Sequence, residues 1–137
     1  APDGLCQDDF GGVRLFVKSR SGVTLPAMIQ HRSIAVPLEV KPLVDALRLR
    51  LRPDAIWLFG SRARGDNRPD SDWDIVVALR DDADPAMLDP LVTWSIQREL
   101  GIPATVLATT AAELADSWGS PNTIGYDLAR DGLLLNG

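Results

Sequence analysis

Gly60-Ser61 and Asp72-Trp73-Asp74 are the residues whose types and spacing can do chemistry. They lie within AIWLFGSRARGDNRPDSDWDIVVAL, Ala55 to Leu79, where two apolar runs enclose a Gly-Ser turn and a charged loop rich in turn formers. Side chains alternate along a strand, so Asp72 and Asp74 share one face and Trp73 takes the other. Their backbones stand roughly 6.5 to 7 Å apart, from about 3.3 Å of rise per residue. With the charges about 6 Å apart at an effective dielectric of about 20, two ionised carboxylates repel by roughly 2.8 kcal/mol. A divalent cation removes that penalty. Mg²⁺ favours oxygen sites with few carboxylates completed by substrate phosphates, and two such ions can hold the attacking and leaving oxygens of a phosphoryl displacement. Asp72 and Asp74 are therefore the candidate catalytic residues and metal ligands.

Gly60 and Ser61 end the first apolar run, where a small residue lets a polyphosphate approach the backbone. Amides at such a turn, with the Ser61 hydroxyl, can donate to phosphate oxygens. Arg62 and Arg64 follow in the same turn, and Arg64 is the first choice for a phosphate contact. Gly60, Ser61 and Arg64 thus form the candidate nucleotide-binding set. Each part alone is common in solvated turns and strand edges. The specific signal is the combination: Gly-Ser, ten intervening residues, then Asp-Trp-Asp, with an apolar strand on either side.

The surrounding elements follow from periodicity. Leu38, Val40, Leu43, Val44, Leu47, Leu49 and Leu51 predict a helix, with Pro42 near its first turn and Pro53 beyond its end. AIWLFG and DWDIVVAL read as strands, ADPAMLDPLVTWSIQRELG as a helix stopped at Gly101, and PATVLAT as a third strand. TAAELADS predicts a short helix capped by Thr110, TIGYDLARDG a last helix stopped by Gly132, and LLLN a closing strand. The order α-β-β-α-β-α-α predicts an α/β (α+β) fold, a small mixed sheet with flanking helices. Upstream, VRLFV and VTLPAMI flank KSRSG, a pattern for a hairpin with Pro26 at an edge. Residues 1–35 are read as an N-terminal extension or edge hairpin, Met28 being a possible natural start, and residues 36–137 as the functional domain.

At 137 residues the chain fits one domain. Its apolar share of 45% and charged share of 24% are those of a globular protein. A net charge of −5 argues against a broad phosphate-backbone footprint, so direct nucleic-acid binding is not expected. Cys6 is the single cysteine, which excludes an internal disulfide and disfavours a cysteine zinc site. No apolar run reaches the roughly 18 residues of a membrane span. APDGLCQDDFGG is acidic where a secretory signal needs a basic, then apolar, segment, so a cytoplasmic location and no membrane contact are expected.

GSRARGDNRPDSDWDIVVAL resembles the minimal nucleotidyltransferase (MNT) family of the DNA polymerase β-like superfamily, whose members pair with HEPN proteins. The likeness runs from about Val36 to NTIGYDLARDGLLLNG, which looks like the family's last helix. It implies a polymerase β-like nucleotidyltransferase fold, with Gly60 and Ser61 gripping the triphosphate and Asp72 and Asp74 binding Mg²⁺. The implied activity moves a nucleoside monophosphate, AMP from ATP, to a hydroxyl of a HEPN-type ribonuclease toxin, for which the chain would be the MntA-like antitoxin. One departure concerns the superfamily's third acidic residue, which aligns with Thr105. Threonine is neither an anionic ligand nor a base at neutral pH. Glu99, Asp116 and Asp127 are the candidate acids to replace it from elsewhere.

Two further readings compete with this one. The chain could be a catalytically weak nucleotide-binding module that neutralises a HEPN partner by contact, or a nucleotidyltransferase acting on a small molecule of the aminoglycoside type. The helix from Leu38 to Arg52 and the final helix are the expected partner faces. The remaining tempting residues take structural roles: His31 on the surface or in a linker, Trp57, Trp94 and Trp118 in the core or an interface, Tyr126 in helix packing. Asp81, Asp82 and Asp84 read as a solvated connection and helix start, and Trp73 as a residue that could border the site.

Overall fold

Ala55–Phe59 and Trp73–Leu79 hold almost nothing polar, the pattern of strands covered on both faces. In the computed structural model, which describes the backbone of residues 10–18 and 24–136 and the side chains of residues 32–136, they are neighbouring antiparallel strands in the middle of a sheet. The strands are β1 (Phe10–Lys18), β2 (Thr24–Ala35), β3 (Ala55–Phe59), β4 (Trp73–Leu79), β5 (Ala104–Thr110) and β6 (Leu133–Asn136). The helices are α1 (Lys41–Leu51), α2 (Ser61–Arg64), α3 (Pro90–Leu100), α4 (Ala111–Ser117) and α5 (Ile124–Asp131). The sheet is six-stranded, in the order β1-β2-β6-β3-β4-β5, with β4/β5 and β2/β6 parallel and the other pairs antiparallel. This is the expected mixed α/β fold. The closing strand β6 lies inside it, between β2 and β3.

Alternation divides the core into two layers. Ile56 and Leu58 of β3, with Trp73, Ile75, Val77 and Leu79 of β4, meet α1 and α3 on one face. Ala55, Trp57, Val76 and Ala78 meet α4 and α5 on the other. Leu43, Val44, Leu47 and Leu51 give α1 its buried stripe. Removing such a side chain, as in Leu47→Ala, typically costs about 2–5 kcal/mol. The helix begins at Lys41, where Pro42 fits the first turn, so Leu38 stays outside it. Both Leu38 and Leu49, counted with the apolar stripe from sequence, face solvent. At the other end Arg52 adopts a left-handed conformation (φ 47°), its amide bonds to the Arg48 carbonyl, and Pro53 follows.

The segment predicted as one helix from Ala83 to Gly101 is divided. Pro90 holds Asp89 extended (φ −64°, ψ 124°), so a 3₁₀ turn, Pro85–Leu88, precedes α3. Asp84 and Asp89 cap the two elements through Ala86 N and Leu91 N, each at 2.9 Å. Thr110 caps α4 by accepting from Glu113 N at 3.1 Å. Asp81, expected in a solvated loop, accepts from Ala112 N at 2.9 Å and so also holds the start of α4.

Strands β1 and β2 pair from Phe10↔Arg32 to Lys18↔Thr24, and the last four residues of β2 continue into the sheet beside β6. Pro26 lies beyond the stretch that pairs with β6. The turn residues 19–23, residues 1–9 with Cys6, and the side chain of His31 lie outside the described residues.

Candidate nucleotide site

Strand β3 ends at Phe59, opposite Asp74 in the β3/β4 register. Gly60 then takes φ 75° and ψ −157°, a conformation that L side chains rarely adopt. Its carbonyl accepts from the amides of Ala63 (3.1 Å) and Arg64 (3.0 Å), which starts α2. A Cβ at Gly60 would collide with the Asp74 carboxylate, so the glycine is required twice, by its dihedral angles and by the acid resting against it. Ser61 opens α2, half-buried, and its first-turn amide has no intrahelical acceptor by helix geometry.

Asp72 is exposed and Asp74 half-buried. Lost hydration pushes the Asp74 carboxyl above its ordinary value; the charge of Asp72 adds to this, and Arg64 opposes it. These three side chains therefore form one electrostatic group. Arg64 reaches Asp66 through Nε at 3.1 Å and Asp131, at the end of α5, through Nη1 at 3.4 Å.

Arg62 is committed elsewhere. Its Nε and Nη2 donate to the Ser71 carbonyl at 3.2 and 2.8 Å, Nη2 also donates to the Pro69 carbonyl at 3.2 Å, and the guanidinium lies 4.3 Å from the centre of the Trp73 ring. The loop between the Gly-Ser turn and the aspartates is thereby stapled to α2 just before Asp72. Trp73 is buried on the α1/α3 face beneath Arg62, away from the carboxylates. Of the other tryptophans, Trp57 is core and packs on Trp118 at 5.3 Å, while Trp94 is half-exposed beneath Arg98.

Thr105 is the register partner of Asp74 across the parallel β4/β5 pair, so the two side chains share a face, and Thr105 is exposed. The acids weighed as substitutes lie elsewhere. Glu99 is on α3, on the opposite face, in a bidentate pair with Arg50 at 2.8 and 3.2 Å. Asp116 is exposed on α4, and Asp127 pairs with Arg130 at 3.5 Å. Among the described residues no group of three or more His, Cys, Asp or Glu is arranged to hold a metal. What is present is a pair of hard oxygen donors whose mutual repulsion a cation would relieve, beside a glycine cradle. That set fits Mg²⁺ when phosphate oxygens and water complete the shell.

Asp131 is the residue that sequence reading missed. Its one signal was an acid in the last turn of a helix, where its charge opposes the helix dipole and calls for a cationic partner.

A Gly-Ser turn leading by a short loop to paired aspartates, on a mixed sheet with helices on both faces, is consistent with the polymerase β-like nucleotidyltransferase fold. The family described as polymerase beta, nucleotidyltransferase matches residues 41–105, just under half of the chain, from the start of α1 to Thr105. That match supports the superfamily and a general nucleotidyl-transfer function. Comparison with curated proteins and with solved structures gives no match. No helix among the described residues is long and apolar enough to cross a membrane.

Proposed function

We propose that this chain is a minimal nucleotidyltransferase that moves AMP from ATP to a hydroxyl of a protein partner, acting as antitoxin to a HEPN-type ribonuclease. The observation that carries the transferase part is the convergence of Gly60, Ser61, Arg64, Asp72 and Asp74 at one corner, inside the segment that matches the nucleotidyltransferase family. The acceptor and the partner rest on the resemblance of GSRARGDNRPDSDWDIVVAL and the closing helix to the MNT family.

The chemistry is a displacement at the α-phosphorus of the triphosphate. The acceptor hydroxyl oxygen forms a bond to phosphorus, the bond to the bridging oxygen of pyrophosphate breaks, and the hydroxyl proton is released. Asp72 and Asp74 would hold Mg²⁺, which when bound supplies charge neutralisation to the phosphates. The Gly60-Ser61 turn lets the triphosphate approach the backbone, and Arg64 offers a planar cation to its oxygens. By the resemblance the superfamily's third acid aligns with Thr105, the register partner of Asp74, so on this reading no carboxylate stands there to take the proton, which would pass to solvent. The same observation favours one second reading, a nucleotide-binding module that silences its partner by contact with slow transfer.

Radiolabelled ATP with Mg²⁺, incubated with and without the protein encoded beside this gene, tests the proposal. Label on the partner, released with pyrophosphate, is the expected result. A stable complex without label supports the second reading, and neither complex nor label contradicts the partner assignment.

A further inference from the structure

Arg64 stands on a four-residue helix between Gly60 and Gly65, both at positive φ, and its side chain is 41% exposed. A long side chain on so short an element has much rotamer freedom to lose before it can grip a ligand. Two carboxylates restrain it. Asp66 is only two residues away and 61% exposed, so it moves with the same loop. Asp131 differs, being nine-tenths buried at the end of α5, where Gly132 N bonds to Leu128 O at 2.8 Å and the chain runs directly into β6 inside the sheet.

Asp131 Oδ2 receives Arg64 Nη1 at 3.4 Å and Arg130 Nε at 2.9 Å. These contacts leave Arg64 Nη2 without a hydrogen bond among the described residues, on a helix whose first carbonyl, that of Gly60, accepts from Arg64 N at 3.0 Å while Gly60 itself rests against the Asp74 carboxylate. A carboxylate in the last turn of a helix is poorly placed with respect to the helix dipole. Here Arg64 and Arg130 supply the cationic partners that offset that cost.

We infer that Asp131 is a positioning residue for the nucleotide site: from the rigid end of α5 it holds the Arg64 guanidinium at the corner beside Asp74, pre-set for a polyphosphate oxygen. The inference rests on the proposed nucleotide site and adds a residue outside the family-matched segment. Pre-setting a donor lowers the entropy lost on binding, so the effect belongs to affinity for the triphosphate rather than to the bond-making step.

Calorimetric titration of the full chain with Mg²⁺-ATP, on the parent, Asp131→Asn, Asp131→Glu and Arg64→Ala, tests this. Asp131→Asn keeps the shape and removes the charge; its dissociation constant should rise about five- to tenfold, with KM rising in parallel in the transfer assay while kcat holds. Asp131→Glu should recover part of the loss. Combining Asp131→Asn with Arg64→Ala should weaken binding no further than Arg64→Ala alone, since the two act through one contact. Parent-like affinity in Asp131→Asn, or additive losses in the double variant, overturns the inference and leaves the nucleotide site intact. A parent that binds no Mg²⁺-ATP overturns both. Arginine-selective NMR of the nucleotide-free parent needs no folded Asp131 variant: restricted rotation of the Arg64 guanidinium, assigned by its loss in Arg64→Ala, is expected, and free rotation overturns the inference.

Discussion

Asp74 carries a measurable consequence of its surroundings even without ligand. Lost hydration and then Asp72 raise its pKa in the folded chain above the ordinary 3.8, so its ionisation opposes folding. The penalty is absent below that value, grows as pH rises towards the raised folded value, and is fully present at neutral pH. Asp74→Asn should therefore stabilise the metal-free protein at pH 7 by about 0.2–1 kcal/mol, the scale of screened charge interactions, and by nothing at pH 3. Urea unfolding with a chelator at both pH values checks this, and a variant less stable than the parent at pH 7 would show that attraction to Arg64 outweighs the other two effects. The face that Asp74 takes and the need for glycine at Gly60 were legible in sequence because strand alternation and backbone sterics are local rules; Asp72, read as the first residue of the same strand, lies one residue before β4. The work of Arg62 and Asp131 was not, since each depends on a partner brought near only by the fold. Sequence allowed Arg62 or Arg64 as a phosphate ligand; the structure gives Arg62 to two loop carbonyls and a tryptophan.

At the scale of elements, α2 and the loop that returns to β4 act as one unit. Ser71 N donates to Arg68 O at 3.0 Å and Arg68 N to Ser71 Oγ at 2.8 Å, closing a turn that Arg62 then ties to α2. Hydrogen bonds from a charged donor are worth roughly 1.5–3 kcal/mol. Arg62→Ala should destabilise the protein by about that much and speed amide exchange in residues 66–72, while the amides of β3 and β4 stay protected. Arg62→Lys should not restore protection, because a single ammonium cannot replace the planar fork that spans both carbonyls and covers Trp73. Unchanged exchange in Arg62→Ala would show that the loop holds itself. Element types in this region were readable from apolar runs and turn residues. The break before α3 was carried by Asp89-Pro90, whose effect on the preceding residue outweighs the helical spacing of the apolar positions around it. The late start of α1 has the same kind of cause, in Pro42.

At the scale of the whole molecule, local patterns gave the class of fold and left the order of strands open. LLLN reads as a closing strand, yet its place between β2 and β3 follows from pairings with residues about eighty and one hundred positions away, Trp57↔Leu134 and Arg32↔Leu133 among them. Large apolar side chains remain exposed on α1 (Leu49), α3 (Leu91, Trp94, Leu100) and β5 (Leu107), and exposure of single side chains is ordinary in a folded domain. The proposed site would bind Mg²⁺ and a nucleoside triphosphate together at the corner built on Asp72 and Asp74. A ligand that binds only the folded chain stabilises all of it, by about 2.7 kcal/mol at one hundred times the dissociation constant. The most direct measurement is therefore thermal unfolding, with parallel calorimetric titration, of the parent and the double variant Asp72→Asn, Asp74→Asn, with and without Mg²⁺-ATP. The parent should be stabilised by the pair and not by Mg²⁺-free ATP to the same degree, and the double variant should fold but gain nothing. A double variant that binds Mg²⁺-ATP as tightly as the parent would contradict the account.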